Sequence, residues 1–188
     1  MSLELLGGRL LAPYFGSSIY VWGSIITVFM VSLSAGYLLG GRWSLYNPSL
    51  GRFGCLFIGG AILLYPLILW ADPAMEWIFV RVVDPRYGSL LASSVLFVLP
   101  TVLLGMISPY SVRLLVDSVS HAGQTAGVLY FVSTLGSALG TLFTSFFLVL
   151  WLEIDQILII MTATLCGLGA VALFVHFQSA DQQAGSNE

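Results

Sequence analysis

Two ionisable residues, Glu4 and Arg9, stand inside an otherwise apolar stretch at the start of this sequence. A charge at the centre of a membrane helix costs ~2.5–3.5 kcal/mol, so an ionisable group at membrane depth counts by default as a candidate site. Glu4 facing a polar cavity would bind a cation. The plainer alternative, preferred for so short a segment, is that Glu4 and Arg9 pair with each other or snorkel to the interface. Other chemistry is sparse. Arg113 and Asp117 are spaced i,i+4, a helix-surface pair worth ~0.3–0.5 kcal/mol. Arg42 suits capping a helix end and touching lipid phosphates. His121 has no Cys, His or acid at ligand spacing, so no metal centre is expected. His176 falls at a helix end, among solvent or headgroups. Serine and threonine are plentiful, but none comes with the His/Asp set of a nucleophile. Gly167-Leu-Gly169 lacks the strand, third glycine and downstream acid of a dinucleotide cradle and reads as helix packing. No cofactor and no catalysis are expected of this chain alone.

The elements that must position these groups are membrane helices. Charged residues are 8% of the 188, against ~25% in a soluble domain. Hydrophobic residues are 58% and the mean hydropathy is +0.97. The net charge of −3 does not supply the basic patch that nucleic acid requires. Cys55 and Cys166 lie in apolar runs and are expected as free thiols buried in the membrane. No basic segment precedes the first apolar run, so no cleavable signal pattern is present.

The pattern predicts an all-α, polytopic membrane bundle of five full spans and one partial helix. Residues 3–15, stopped by Pro13 and Gly16, are too short to cross. Spans are expected at 18–41, 53–71, 88–110, 126–150 and 157–177. Asp72-Pro73 reads as a helix start, giving an interfacial helix over 73–83 that ends at Asp84-Pro85 and carries Trp77 at headgroup depth. Pro100, Gly105 and Pro109 should bend the helix that holds them. The polar tail 179–188 is expected to be disordered. The positive-inside rule sets Arg42, Arg52 and Arg113 in the cytoplasm, with Arg81, Arg86 and Trp22, Trp70, Trp77 and Trp151 outside. That orientation leaves the C-terminus cytoplasmic in a bacterial-type inner membrane.

Two faces of small residues stand out. Ser133, Gly136, Ser137, Gly140 and Thr141 recur at helical spacing in one span, and Ser32, Gly36 and Gly40 in another. In lipid, close backbone packing replaces the hydrophobic effect between helices. Each face should therefore meet a partner helix, in ordinary packing or along a pathway or moving interface.

Several segments together carry a resemblance. They are Arg9 to Ser18 (Arg-Leu-Leu-Ala-Pro-Tyr-Phe-Gly-Ser-Ser), Tyr20-Val-Trp22, Gly36 to Arg42, Leu99 to Tyr110, and Ala126 to Tyr130 running on into Ser133-Thr-Leu-Gly136-Ser. They resemble the membrane portion of the fused major-facilitator/spermidine-synthase-like proteins, with motif-level likeness over 4–46 and 84–150. The resemblance implies a six-helix half built as two inverted three-helix repeats, with 18–41 and 126–150 as equivalent second helices. It also implies a first helix of which this chain holds only the later part. Gly36 to Arg42 looks like the major-facilitator loop after the second helix, without the usual Asp. No soluble aminopropyltransferase-like domain accompanies these segments, so the enzyme activity is not carried over. Three functions follow as expectations. One is a membrane module that anchors, or exchanges substrate with, a separate aminopropyltransferase-like chain. Another is a homodimeric transporter of a small molecule, such as a polyamine or other cation. The third is a structural or remnant membrane protein. The lipid bilayer is the partner common to all three.

Overall fold

The computed structural model describes the backbone of residues 1–116 and 122–185. Asp117 and His121 therefore lie outside the described residues. Among those described, the chain is helix joined by short turns: α1 Ser2–Phe15, α2 Ile19–Trp43, α3 Leu50–Arg81, α4 Pro85–Leu115, α5 Ala122–Phe143, a π-helical segment Thr144–Leu148, α6 Val149–Trp151 and α7 Ile154–Gly185. Five of these stretches are long and apolar enough to cross a membrane: Ile19–Trp43, Leu50–Arg81, Pro85–Leu115, Ala122–Trp151 and Ile154–Ser179. The chain is an integral membrane helix bundle.

The turns lie at two ends of the bundle. One is marked by Gly16, at φ 77°, and the other by Asn47, at φ 45°. Local chemistry sets the helix starts. The Ser49 hydroxyl accepts from the Arg52 N–H at 3.3 Å to begin α3. The Asp84 carboxylate accepts from the Arg86 N–H at 2.9 Å, with Pro85 at the first helical position of α4. Asp72-Pro73, expected to do the same, does not: α3 runs through it unbroken. Asp72 accepts instead from the Tyr14 hydroxyl at 3.4 Å, so its carboxylate is not a cap. The expected interfacial helix 73–83 is the last part of α3. At ~1.5 Å per residue, the 32 residues of α3 reach about 48 Å, more than the ~30 Å hydrocarbon core.

Two further boundaries differ from expectation. α4 extends from Pro85 to Leu115, beyond the expected 88–110, and contains Pro100, Gly105 and Pro109. α7 continues to Gly185, so the tail expected as disordered from 179 is helical over its first part; Ala, Gln and Asp there do not break a helix as Gly or Pro would.

Packing rests on two seams where backbones nearly touch. α2 and α4 run parallel. Ser89 Oγ donates to Ser24 Oγ at 3.2 Å, and the Phe29 and Phe97 rings lie 5.3 Å apart. Farther along, a β-carbon on Gly36 would fall 2.9 Å from the Gly105 Cα, and one on Gly40 2.6 Å from the Met106 Cα. The Ser32, Gly36 and Gly40 face thus meets a partner helix as expected, and Gly105 faces it. α3 and α7 run antiparallel, with a β-carbon on Gly54 2.9 Å from the Gly169 carbonyl oxygen and one on Gly51 2.7 Å from the His176 ring. His176 therefore packs in a seam. Gly169 packs there too, while nothing approaches Gly167 within 4 Å.

The short helix α1 fills the middle. Leu6 and Leu11 are fully buried, Gly8 takes the Trp22 ring and Gly7 the edge of Phe97. Cys55 and Cys166 are free and exposed, on outer flanks of the bundle. Tyr110 is buried, stacked at 6.0 Å on Phe53, and its hydroxyl accepts from the Ser49 N–H at 3.1 Å, tying down the Asn47 turn.

The seams set a test. Gly36→Val should lower stability by ~1–3 kcal/mol, the range for overpacking a tight contact, whereas Gly136→Val should change it by less than ~0.5 kcal/mol. Equilibrium unfolding in mixed micelles reads both. Equal losses for the two would remove the α2–α4 seam from its central place.

Candidate functional site

The second small-residue face behaves differently from the first. α5 contains no buried residue. Across Ala122–Trp151 only 6% of the span is buried, against 33% for Ile19–Trp43 and 39% for Pro85–Leu115. A β-carbon on Gly136 would meet nothing within 4 Å, and one on Gly140 only the Ser2 hydroxyl at 3.5 Å. The Thr141 hydroxyl donates back into its own helix, to the Ser137 carbonyl at 2.8 Å. The expectation that Ser133, Gly136, Ser137, Gly140 and Thr141 pack against a helix is thus not met within this chain. Small size lets a face be approached; it does not supply the neighbour.

α5 stands off from the α2–α4 pair, and the gap is a crevice of about 350 Å³. Hydroxyls come from both walls: Tyr37 on α2, Ser108 and Ser111 on α4, Ser133 and Ser137 on α5. Leu33, Leu104 and Leu129 supply apolar surface between them. The Ser111 hydroxyl is committed to the Ile107 carbonyl at 2.7 Å. Thr101, 3% exposed, has a hydroxyl with no hydrogen-bond partner; its spacing to Gly105 and Ser108 puts it on the same side of α4. None of these groups is an acid, a base or a strong nucleophile at pH 7. The crevice, which Met1 also lines, can bind by donating and accepting hydrogen bonds.

α5 is held mainly at its far end. Thr144, in the π-helical segment, is 2% exposed and donates to the Ser2 hydroxyl at 3.0 Å. Arg9 donates to the Val149 carbonyl at 3.3 Å. π-helical turns frequently mark functional places in helices, and hydropathy carries no signal for one.

The structure separates Glu4 from Arg9. Five residues along a helix is a rotation of ~140°, so the two side chains leave α1 on different sides and do not form the expected pair. Arg9 caps the end of α6 from across the bundle. It also borders a second cavity, of about 420 Å³, with Asp72, Glu153 and Asp155. Sequence reading overlooked these three carboxylates, which are 63 or more positions from Arg9; only the turn between α6 and α7 and the unbroken α3 bring them to it. Among the described residues no group of three or more His, Cys, Asp or Glu could hold a metal ion.

No protein-family model, curated protein or solved structure matches the chain. The fold itself defines the class: a helical integral membrane bundle with one weakly packed span.

The crevice makes a labelling prediction. In a variant with Cys55 and Cys166 replaced, cysteines at Ser133 and Ser137 should react with a water-soluble thiol reagent, and cysteines at Leu139 and Phe143, on the outer flank, should not. Equal protection at all four positions would mean that the crevice is closed to water.

Proposed function

We propose that this chain is the membrane module of a transporter-like system. The single observation that supports this best is the hydroxyl-lined crevice between the α2–α4 pair and α5. In hydrocarbon each unsatisfied polar group costs several kcal/mol, so hydroxyls facing an open crevice favour water or a polar solute inside it. The α2–α4 seam makes one rigid wall, and α5, with few buried contacts, makes a wall that moves at low cost. The resemblance to fused major-facilitator/spermidine-synthase-like proteins supports the rest of the reading. The module anchors, or exchanges substrate with, a separately made aminopropyltransferase-like chain, and a polyamine or other small cation is the solute. Catalysis then belongs to that partner and not to this bundle.

A second reading is favoured by the open α5 flank, where Gly136 has no neighbour within 4 Å. Two copies pairing along α5 would close it and make a homodimeric transporter.

Both readings give measurable outcomes. Proteoliposomes holding the purified chain should take up spermidine. Filling the crevice with Ser133→Leu and Ser137→Leu together should cut that uptake ~10-fold or more, the ratio that corresponds to ~1.4 kcal/mol of lost binding. Uptake unchanged by these substitutions, or absent from the unaltered protein with and without the synthase-like partner, would sink the transport reading. For the second reading, Gly136→Cys in the cysteine-replaced background should cross-link between copies in native membranes, and Trp70→Cys, on the exposed outer side of α3, should not.

A further inference from the structure

The cavity beside Arg9 lies near the Gly16 end of the bundle. It is bounded by Arg9, Leu10 and Pro13 of α1, by Asp72 of α3, and by the turn Leu152 to Asp155 that enters α7. One cation therefore shares about 420 Å³ with three carboxylates, Asp72, Glu153 and Asp155. Arg9 and one of the carboxylates, Asp72, are each engaged by another bond. Arg9 is drawn to the Val149 carbonyl at 3.3 Å, where the α6 carbonyls have run out of helical partners. Asp72 is held by the Tyr14 hydroxyl at 3.4 Å. Burial, and then the charges of Asp72 and Glu76, push the Tyr14 phenol above its ordinary range, so it remains a donor to Asp72. A guanidinium carries five N–H donors, and the Val149 bond uses one. Among the described residues the carboxylates of Glu153 and Asp155 accept no hydrogen bond; the bond at this turn runs from the Glu153 N–H to Gln156 Oε1, at 3.1 Å.

We propose that this cavity binds a zwitterion bearing a phosphate and a primary ammonium group. The phosphate lies on Arg9, which can hold it with paired N–H donors, and the ammonium lies against the carboxylates of the Leu152 to Asp155 turn, with Asp72 on the same cavity. The chemistry fits an aminophospholipid headgroup, phosphoethanolamine, or the same group free in solution. A simple anion would face three carboxylates, and a simple cation would face Arg9; only a ligand with both charges satisfies both sides. Leu10, Pro13, Leu152 and Ile154 form apolar wall beside the charges, which suits a lipid whose chains continue into the bilayer. The inference does not rest on transport, because this cavity and the hydroxyl crevice share no lining residue.

The test uses the full chain, purified in detergent and read by native mass spectrometry after adding equal amounts of phosphatidylethanolamine and phosphatidylglycerol. The expected result is selective retention of phosphatidylethanolamine. Arg9→Gln should reduce that selectivity ~10-fold or more, as expected for losing a charge-assisted contact. Arg9 also caps α6, so this variant can lose structure. The pair Glu153→Gln and Asp155→Asn, at exposed positions, keeps the fold and should shift retention toward phosphatidylglycerol. Soluble phosphoethanolamine competing the lipid off would identify a free zwitterion as an equal source; no competition would identify the membrane lipid. Equal retention of the two lipids by the unaltered chain, or selectivity untouched in the Glu153/Asp155 variant, would overturn the proposal.

Discussion

Close backbone contact between helices is the constraint on which this structure depends. Lipid tails are as apolar as leucine, so no hydrophobic force draws one spanning helix to another. What remains is dispersion, which falls off within an ångström or so of contact. Gly36 against Gly105 and Gly54 against Gly169 bring main chains close enough for that attraction to act over several turns. The four helices that own these seams, α2 with α4 and α3 with α7, form the frame. α3 and α4 also touch, through Leu103 and Leu104 beside Gly59 and Gly60, and α1 fills the space enclosed.

The same rule explains why α5 stands apart. Its glycines are as numerous as those of α2, but no helix presents a complementary backbone to them. Its attachments lie toward its later part: Thr144 bonds to Ser2, Val149 to Arg9, and Leu148 and Val149 pack on the core. A span held at one end and free along its length can tilt without breaking a seam. The hydroxyl-lined crevice exists because α5 does not close on the α2–α4 pair.

Charge in this molecule is gathered at the ends, and how it is held matters more than how much there is. Arg81 lies over the Trp77 ring at 4.0 Å and Arg86 over the Tyr20 ring at 4.7 Å, contacts suited to the edge of a bilayer where aromatic rings collect. Arg9 is used differently. It bonds to a helix end, at the Val149 carbonyl, and borders a cavity lined by three carboxylates.

Local pattern determined a good deal. The 8% charge and the long apolar runs settle that most of this chain belongs in lipid, because too few polar groups are present to solvate a surface. The five spans follow from length and hydropathy alone, and the α2 glycine face from residue spacing. Tertiary structure decided what spacing leaves open. Asp72-Pro73 and Asp84-Pro85 are the same dipeptide, yet only the second starts a helix; α3 runs through the first, whose carboxylate accepts from Tyr14. Gly36 and Gly136 have the same local surroundings of small residues, yet one lies in a seam and the other has no neighbour within 4 Å. The carboxylates around Arg9 come from two distant places, α3 and the turn into α7. A sequence states what each face can do; whether a partner stands opposite depends on how distant helices share a limited volume, and contact energies that lose about half their strength over roughly an ångström leave no trace in local spacing.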